Sequence, residues 1–113
     1  MRKVVNRAKM TTASVGTGTV TLGSAVSKYQ SFADAGINDG DTFDYVIEDG
    51  TAWEIGVGVY SSTGPTVTRS LIESSTGALI NLSGNAEIFI TIAAQSILDE
   101  NSQIRSGFLL MGG

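Results

Sequence analysis

Cysteine and histidine are both absent from the 113 residues, and these two absences remove more chemistry than any other feature of the composition. Without a thiol there is neither a disulfide framework nor a thiolate metal site, which suits a protein folded in a reducing cytoplasm. Without an imidazole the chain lacks the commonest general base, the commonest transition-metal ligand and the one side chain that ordinarily titrates near neutrality. Proline occurs once, at Pro65, and tryptophan once, at Trp53. Charged residues are only 16% of the chain. No apolar run approaches the length needed to span a membrane, and no apolar segment of the secretory kind follows the basic start. A soluble, untargeted single domain is expected, large enough to bury about two-thirds of its unfolded surface.

Strand-like runs separated by glycine-marked turns make up most of what is present. Thr42–Asp49, Ala52–Tyr60 and Ala86–Thr91 are the clearest. Phe43, Tyr45 and Ile47 share one face of the first run, and Trp53, Ile55, Val57 and Val59 share one face of the second. Both sets are assigned to the core. Asp44, Glu48, Glu54, Gly56, Gly58 and Tyr60 then occupy the polar face of a half-buried antiparallel sheet. Glu48-Asp-Gly-Thr51 lies between the two runs and supplies the backbone freedom of a tight reversal, so residues 42–60 form a hairpin.

The remaining elements follow from local chemistry. Thr11–Leu22 is rich in Thr and Val, with Gly16-Thr-Gly18 read as a bulge or turn, since no Lys-Ser/Thr follows to make a phosphate loop. Lys28–Gly36 holds one or two helical turns ended by Gly36, with Tyr29 and Phe32 plugging one end of the core. Asn38-Asp-Gly-Asp41 is read as a turn, because its acids lack the spacing of a calcium loop. After the Ser61–Pro65 turn, Thr66–Glu73 is a further strand on which Arg69 shares parity with Val67 and Leu71. Arg69 either breaks that face or sits at its rim with its head in water, and the rim is expected. Glu87–Ile92 is apolar on both faces and should be central or covered.

Candidate functional residues are sparse. Arg2, Lys3, Arg7 and Lys9 are four of the seven cations, so the rest of the chain carries a net −8. This basic arm is either a charged first strand or a docking element for an acidic partner; with no interleaved aromatics it makes a poor nucleic-acid surface. Glu48 with Glu54 or Asp49 is the one carboxylate set worth weighing for glycoside cleavage, and solvated surface acids are the preferred account. Gly56 and Gly58 leave one strand face bare, which is either a bend or a flat docking patch. Phe108, Leu109, Leu110 and Met111 form an apolar cluster near the C-terminus that either tucks under the sheet or contacts a neighbour. The chain thus divides into an arm or first strand at 1–10, a β-domain at 11–94 and a tail at 95–113.

Five fragments in one order, Gly16-Thr-Gly-Thr-Val-Thr-Leu22, Tyr29-Gln-Ser-Phe-Ala-Asp-Ala-Gly36, Asp39-Gly-Asp41, Trp53-Glu-Ile-Gly56 and Ile80-Asn-Leu-Ser-Gly84, give the chain its family likeness. Over residues 6–94 it resembles a small β-domain of tailed-bacteriophage virion proteins, found alone or as a module of tail-fibre and other virion-attached chains. The expected fold is all-β, a compact antiparallel β-sandwich or barrel-like domain with at most one short helix. The resemblance implies a non-enzymatic structural protein located in the virion, a capsid decoration, cement or fibre-anchoring module, with a carbohydrate- or receptor-binding fibre module as the alternative. Its expected partners are other virion proteins (major capsid, tail or fibre) and further copies of itself, a trimer being favoured. No catalytic residue, cofactor, metal, nucleic acid or membrane is expected.

Overall fold

The computed structural model describes residues 2–94. They form β1 (Lys9–Thr12), β2 (Val15–Gly16), β3 (Val20–Thr21), α1 (Phe32–Ala35), β4 (Thr42–Asp49), β5 (Ala52–Ser61), β6 (Thr66–Val67), β7 (Ser70–Ser74), β8 (Leu82–Ser83) and β9 (Ala86–Thr91). Seven strands make one curled antiparallel sheet, a half-barrel, in the order β1-β9-β4-β5-β6-β3 with β7 also pairing with β5. A separate ribbon joins β2 to β8. The all-β expectation therefore holds, as does the central place of the doubly apolar β9, which lies between β1 and β4.

The β4–β5 hairpin turns through Gly50 and Thr51, Gly50 taking a φ of 63°, so Asp49 pairs with Ala52 and every following pair is fixed. In that register Phe43 faces Gly58, Tyr45 faces Gly56 and Ile47 faces Glu54. Directly opposed residues project to the same side of a sheet. The core face of β5 is therefore Glu54, Gly56, Gly58 and Tyr60, all buried, while Trp53, Ile55 and Val57 are half-buried on the outer face and Val59 is exposed. This reverses the face expected from hydrophobicity.

The glycines explain the reversal. A Cβ at Gly56 would lie 2.5 Å from the Tyr45 hydroxyl oxygen, and one at Gly58 would lie 2.5 Å from a Val67 methyl and 3.3 Å from the Tyr45 ring. The Tyr45 side chain thus rests on bare β5 backbone, in a slot no larger residue would leave open. Gly56 and Gly58 are core residues; they are not an external docking patch.

Around this slot the concave face gathers Phe32, Phe43, Ile47, Ile88, Val20 and Val67, each fully buried. Phe32 meets Phe43 edge-on at 5.4 Å, a favourable quadrupole arrangement. The single turn α1 exists to deliver Phe32: Ser31 Oγ accepts from the Asp34 N–H at 3.0 Å at its start, and Gly36 stops it with a φ of 116°. Tyr29 does not join Phe32 in the core. It lies half-buried beneath the Arg7 guanidinium, 4.1 Å from ring centre to Cζ.

Residues 20–30 bridge the edges of the half-barrel. β3 pairs with β6, the Leu22 N–H donates to Pro65 O at 2.9 Å, and the very next N–H, that of Gly23, donates to Thr11 O at 2.7 Å. The segment then follows β1 through the bonds Thr11 N–H to Ser24 O, Val26 N–H to Lys9 O and Lys9 N–H to Gln30 O. The backbone groups that β1 would offer to another chain are thereby satisfied within this one.

Substitution separates the two faces of β5. Gly56→Ala should cost about 3 kcal/mol or more, because the methyl has to displace Tyr45 or the β7 backbone. Trp53→Ala should cost less, about 1–2 kcal/mol, because the ring lies on the outer face and is only partly buried. Urea unfolding of the two variants checks this order.

Candidate functional site

Turning Glu54 inward places a carboxylate in a wholly buried position, its exposure being 0%. Transfer of such a group from water costs several kcal/mol unless it is paired and hydrogen-bonded. Arg69 supplies the pair. The strand expected at residues 66–73 breaks at Thr68 and Arg69 into β6 and β7, and Thr68 bridges the break through its N–H to Val59 O at 3.1 Å and its Oγ1, which accepts from the Val59 N–H at 3.0 Å. Past the break, β7 carries one extra residue, Ile72, between its pairings with Ile55 and Gly56. The irregularity lets the Arg69 side chain drop inward to 1% exposure, so it breaks the apolar face and does not sit at its rim.

The guanidinium grips Glu54 as a fork, Nη2 donating to Oε1 at 2.6 Å and Nε to Oε2 at 3.0 Å. Its other donors reach three backbone carbonyls: Ile80 at 2.7 Å from Nη2, and Gly16 at 3.2 Å and Gly18 at 3.1 Å from Nη1. Glu54 also accepts from the Tyr45 hydroxyl at 2.5 Å and from the Ile80 N–H at 2.9 Å. Burial alone would raise the Glu54 pKa, but the bonds from Arg69, Tyr45 and Ile80 outweigh it and hold the carboxyl below its ordinary 4.5. Burial, reinforced by the bond to Glu54, pushes the Tyr45 phenol well above its usual range. Desolvation disfavours the Arg69 cation, and the contact with Glu54 more than restores it.

This cluster was not anticipated from the sequence. Its signals were the parity of Arg69 with Val67 and Leu71 and the two-residue turn that sets Glu54 opposite Ile47. A carboxylate, a phenol and a guanidinium would suit acid–base chemistry on an exposed surface, but here every oxygen and nitrogen is occupied and closed off from solvent. The Glu48 and Glu54 pair weighed for glycoside cleavage does not exist as such: Glu48 is exposed on the outer face and Glu54 is in the core. Asp49 is engaged elsewhere, accepting from the Ser83 N–H at 2.7 Å and the Ser83 hydroxyl at 2.8 Å, which pins β8 to the hairpin.

The basic arm lies on its own domain. Arg2 Nε is 3.2 Å from Asp44 Oδ1, Lys3 Nζ is 3.4 Å from Asp41 and Lys9 Nζ is 3.3 Å from Glu87. Asp44 is 2% exposed on the outer face, where its second oxygen accepts from the Ala93 N–H at 2.9 Å. Asn38–Asp41 is the expected turn: Asp41 accepts from the Asn38 N–H at 2.7 Å, and Asp39 accepts from the Ser62 N–H at 2.8 Å. The Asn38 bond and Lys3 together hold the Asp41 carboxyl below the usual range. Phe108, Leu109, Leu110 and Met111 lie outside the described residues. A shallow cleft of about 270 Å³ between Thr11–Ala13 and Gly84–Glu87 offers Glu87 as its single ionisable group.

No protein-family model matches the chain, and no match was found among curated proteins or solved structures.

The buried cluster sets a pH window. Glu54 titrates below its unfolded value in the folded protein, so its contribution is complete above about pH 5 and is lost as pH falls through the folded pKa. Tyr45 titrates above its unfolded 10.0, so its contribution is complete below that pH and is lost as pH rises further. Melting temperature should therefore be level from about pH 5 to 9 and fall on both sides. Glu54→Gln should flatten the acid limb, and Tyr45→Phe the alkaline one. A steep change between pH 6 and 8 would contradict this assignment.

Proposed function

We propose that the chain is a non-enzymatic structural protein of a tailed-phage virion, a capsid decoration, cement or fibre-anchoring module that works through protein–protein contacts. The observation that carries this reading is where the family-like fragments fall. Glu54 of Trp53–Gly56, Gly16 and Gly18 of Gly16–Leu22, and Ile80 of Ile80–Gly84 all bond to Arg69. Fragments distant in sequence thus define one buried joint, as residues that maintain a shared domain architecture would.

Two further features support a structural role. The strongly polar groups of the core are consumed in holding strands and loops together. The β1 edge is covered by the chain's own residues 24–30, so the domain does not offer that edge for open-ended pairing. Tyr60, expected on the polar face, is 5% exposed and faces the core, so it offers no ring platform to a saccharide.

In this proposal the partners are major capsid, tail or fibre proteins, and the working form is a homo-oligomer, a trimer being favoured because virion sites repeat by symmetry. Antibody labelling and quantitative mass spectrometry of purified particles provide the test. The protein should be present in a fixed copy number that follows the symmetry of one particle component. Abundance in the infected-cell lysate with absence from washed particles would overturn the reading.

A further inference from the structure

Of the four arm cations, Arg2, Lys3 and Lys9 have carboxylates of the same domain beside them. Arg7 differs. Among the described residues no carboxylate lies within ion-pair range of Arg7 or of Lys28, and the two are brought together, Arg7 Nη2 donating to Lys28 O at 3.2 Å. We infer that Arg7, held over the Tyr29 ring, and the adjoining Lys28 form a recognition site for a carboxylate-bearing segment of a partner protein.

The backbone at both positions is unusual. Arg7 has a φ of 54° and Lys28 a φ of 72°, and among the described residues they alone hold a positive φ without being glycine. A side chain larger than hydrogen is disfavoured in that region, and Arg and Lys gain nothing there from local hydrogen bonding as Asn or Asp would. Glycine would be the better residue at both sites if backbone shape were all that mattered. The surrounding bonds hold the strained geometry: the Gln30 N–H donates to Arg7 O at 2.6 Å, Gln30 Nε2 donates to Asn6 O at 2.9 Å, and the Lys9 N–H donates to Gln30 O at 3.2 Å. Strain maintained at two exposed cations points to a use for their side chains.

The side chains are also pre-set. Arg7 lies over the Tyr29 ring at 4.1 Å, and Lys9 sits 5.3 Å from Tyr29 and 5.4 Å from Phe89. A guanidinium held over a ring keeps its in-plane donors at the edge, where a carboxylate can accept two of them at once. Lys28 adds a second, exposed charge, and Glu87 neutralises only Lys9. Two uncompensated cations fit one or two acidic side chains. A long polyanion such as nucleic acid is poorly matched, because the chain beyond the arm carries a net −8 and would repel it.

This inference rests on the partner-docking role proposed above and narrows its contact to one place. The probe is a fluorescein-labelled peptide alternating Glu and Ser, with a Gln-for-Glu peptide and oligo-dT as controls, read by anisotropy at low and high salt. The parent protein should bind the acidic peptide, lose it as salt rises, and prefer it to both controls. Arg7→Gly and Lys28→Gly should each weaken binding at least tenfold while leaving the melting temperature equal or higher, since glycine relieves the strain. Lys28→Asn, which tolerates the same φ, should do likewise if the glycine variant is poorly behaved. Arg2→Ala and Lys3→Ala should retain binding. Unchanged affinity in the Arg7 and Lys28 variants, a lower melting temperature in all of them, or tighter binding of oligo-dT would overturn the site. Failure to find the protein on particles while the peptide results hold would overturn the virion address alone, and the converse would overturn the site alone.

Discussion

A glutamate and an arginine shut away from water together shape this domain more than any apolar contact. Each ion is expensive to bury, and the cost is offset only when every donor and acceptor finds a partner in good geometry. Glu54 and Arg69 meet that condition by recruiting Tyr45 from β4, Ile80 from the loop before β8, and the carbonyls of Gly16 at the end of β2 and Gly18 just after it. Elements that share little apolar surface are therefore tied to one point. The β2–β8 ribbon, too short to be stable alone, is held through these carbonyls at one end and through Asp49 and Ser83 at the other.

The same pair accounts for the irregularities of the sheet. A regular strand from Thr66 to Ser74 would run straight past Glu54, whereas the break at Thr68 and Arg69 and the extra residue Ile72 bring the guanidinium inside. Gly56 and Gly58 belong to this arrangement as well. They leave room for the Tyr45 ring to lie along β5, so that its hydroxyl reaches Glu54. Bulge, glycines and ion pair are thus parts of one solution to filling the concave face beside β5.

Much of this is legible in the chain, and the rest is hidden for a definable reason. The hairpin, the capped turn ended by Gly36, the Asn38–Asp41 turn and the central place of β9 follow from local signals that tertiary packing had no cause to override. The faces of β5 did not follow, because Trp53, Ile55, Val57 and Val59 look like a core stripe when one strand is considered alone. The register decides otherwise. A two-residue turn at Gly50 and Thr51 sets odd-numbered residues of β4 against even-numbered residues of β5, so Phe43, Tyr45 and Ile47 share their side with Gly58, Gly56 and Glu54. Hydrophobicity within one strand and pairing across two gave opposite answers, and pairing governs when the partner's large side chains fill the space. Arg69 is hard to place from sequence for a related reason: it shares the apolar parity of Val67 and Leu71, but an inward arginine has no rationale until an inward glutamate is known. The arm cations, taken together as either a charged first strand or a docking element, divide into three with acids of their own domain and one, Arg7, whose guanidinium donates to a backbone carbonyl.

A double-mutant cycle on Glu54 and Arg69, followed by urea unfolding, tests the central claim most directly. Glu54→Gln and Arg69→Met should each cost about 3–5 kcal/mol, because each strands a buried charge. The double variant should cost clearly less than the two together, giving a coupling of about 1–3 kcal/mol. Single variants within about 0.5 kcal/mol of the parent, as surface substitutions are, would place Glu54 and Arg69 in water and return β5 to the opposite face.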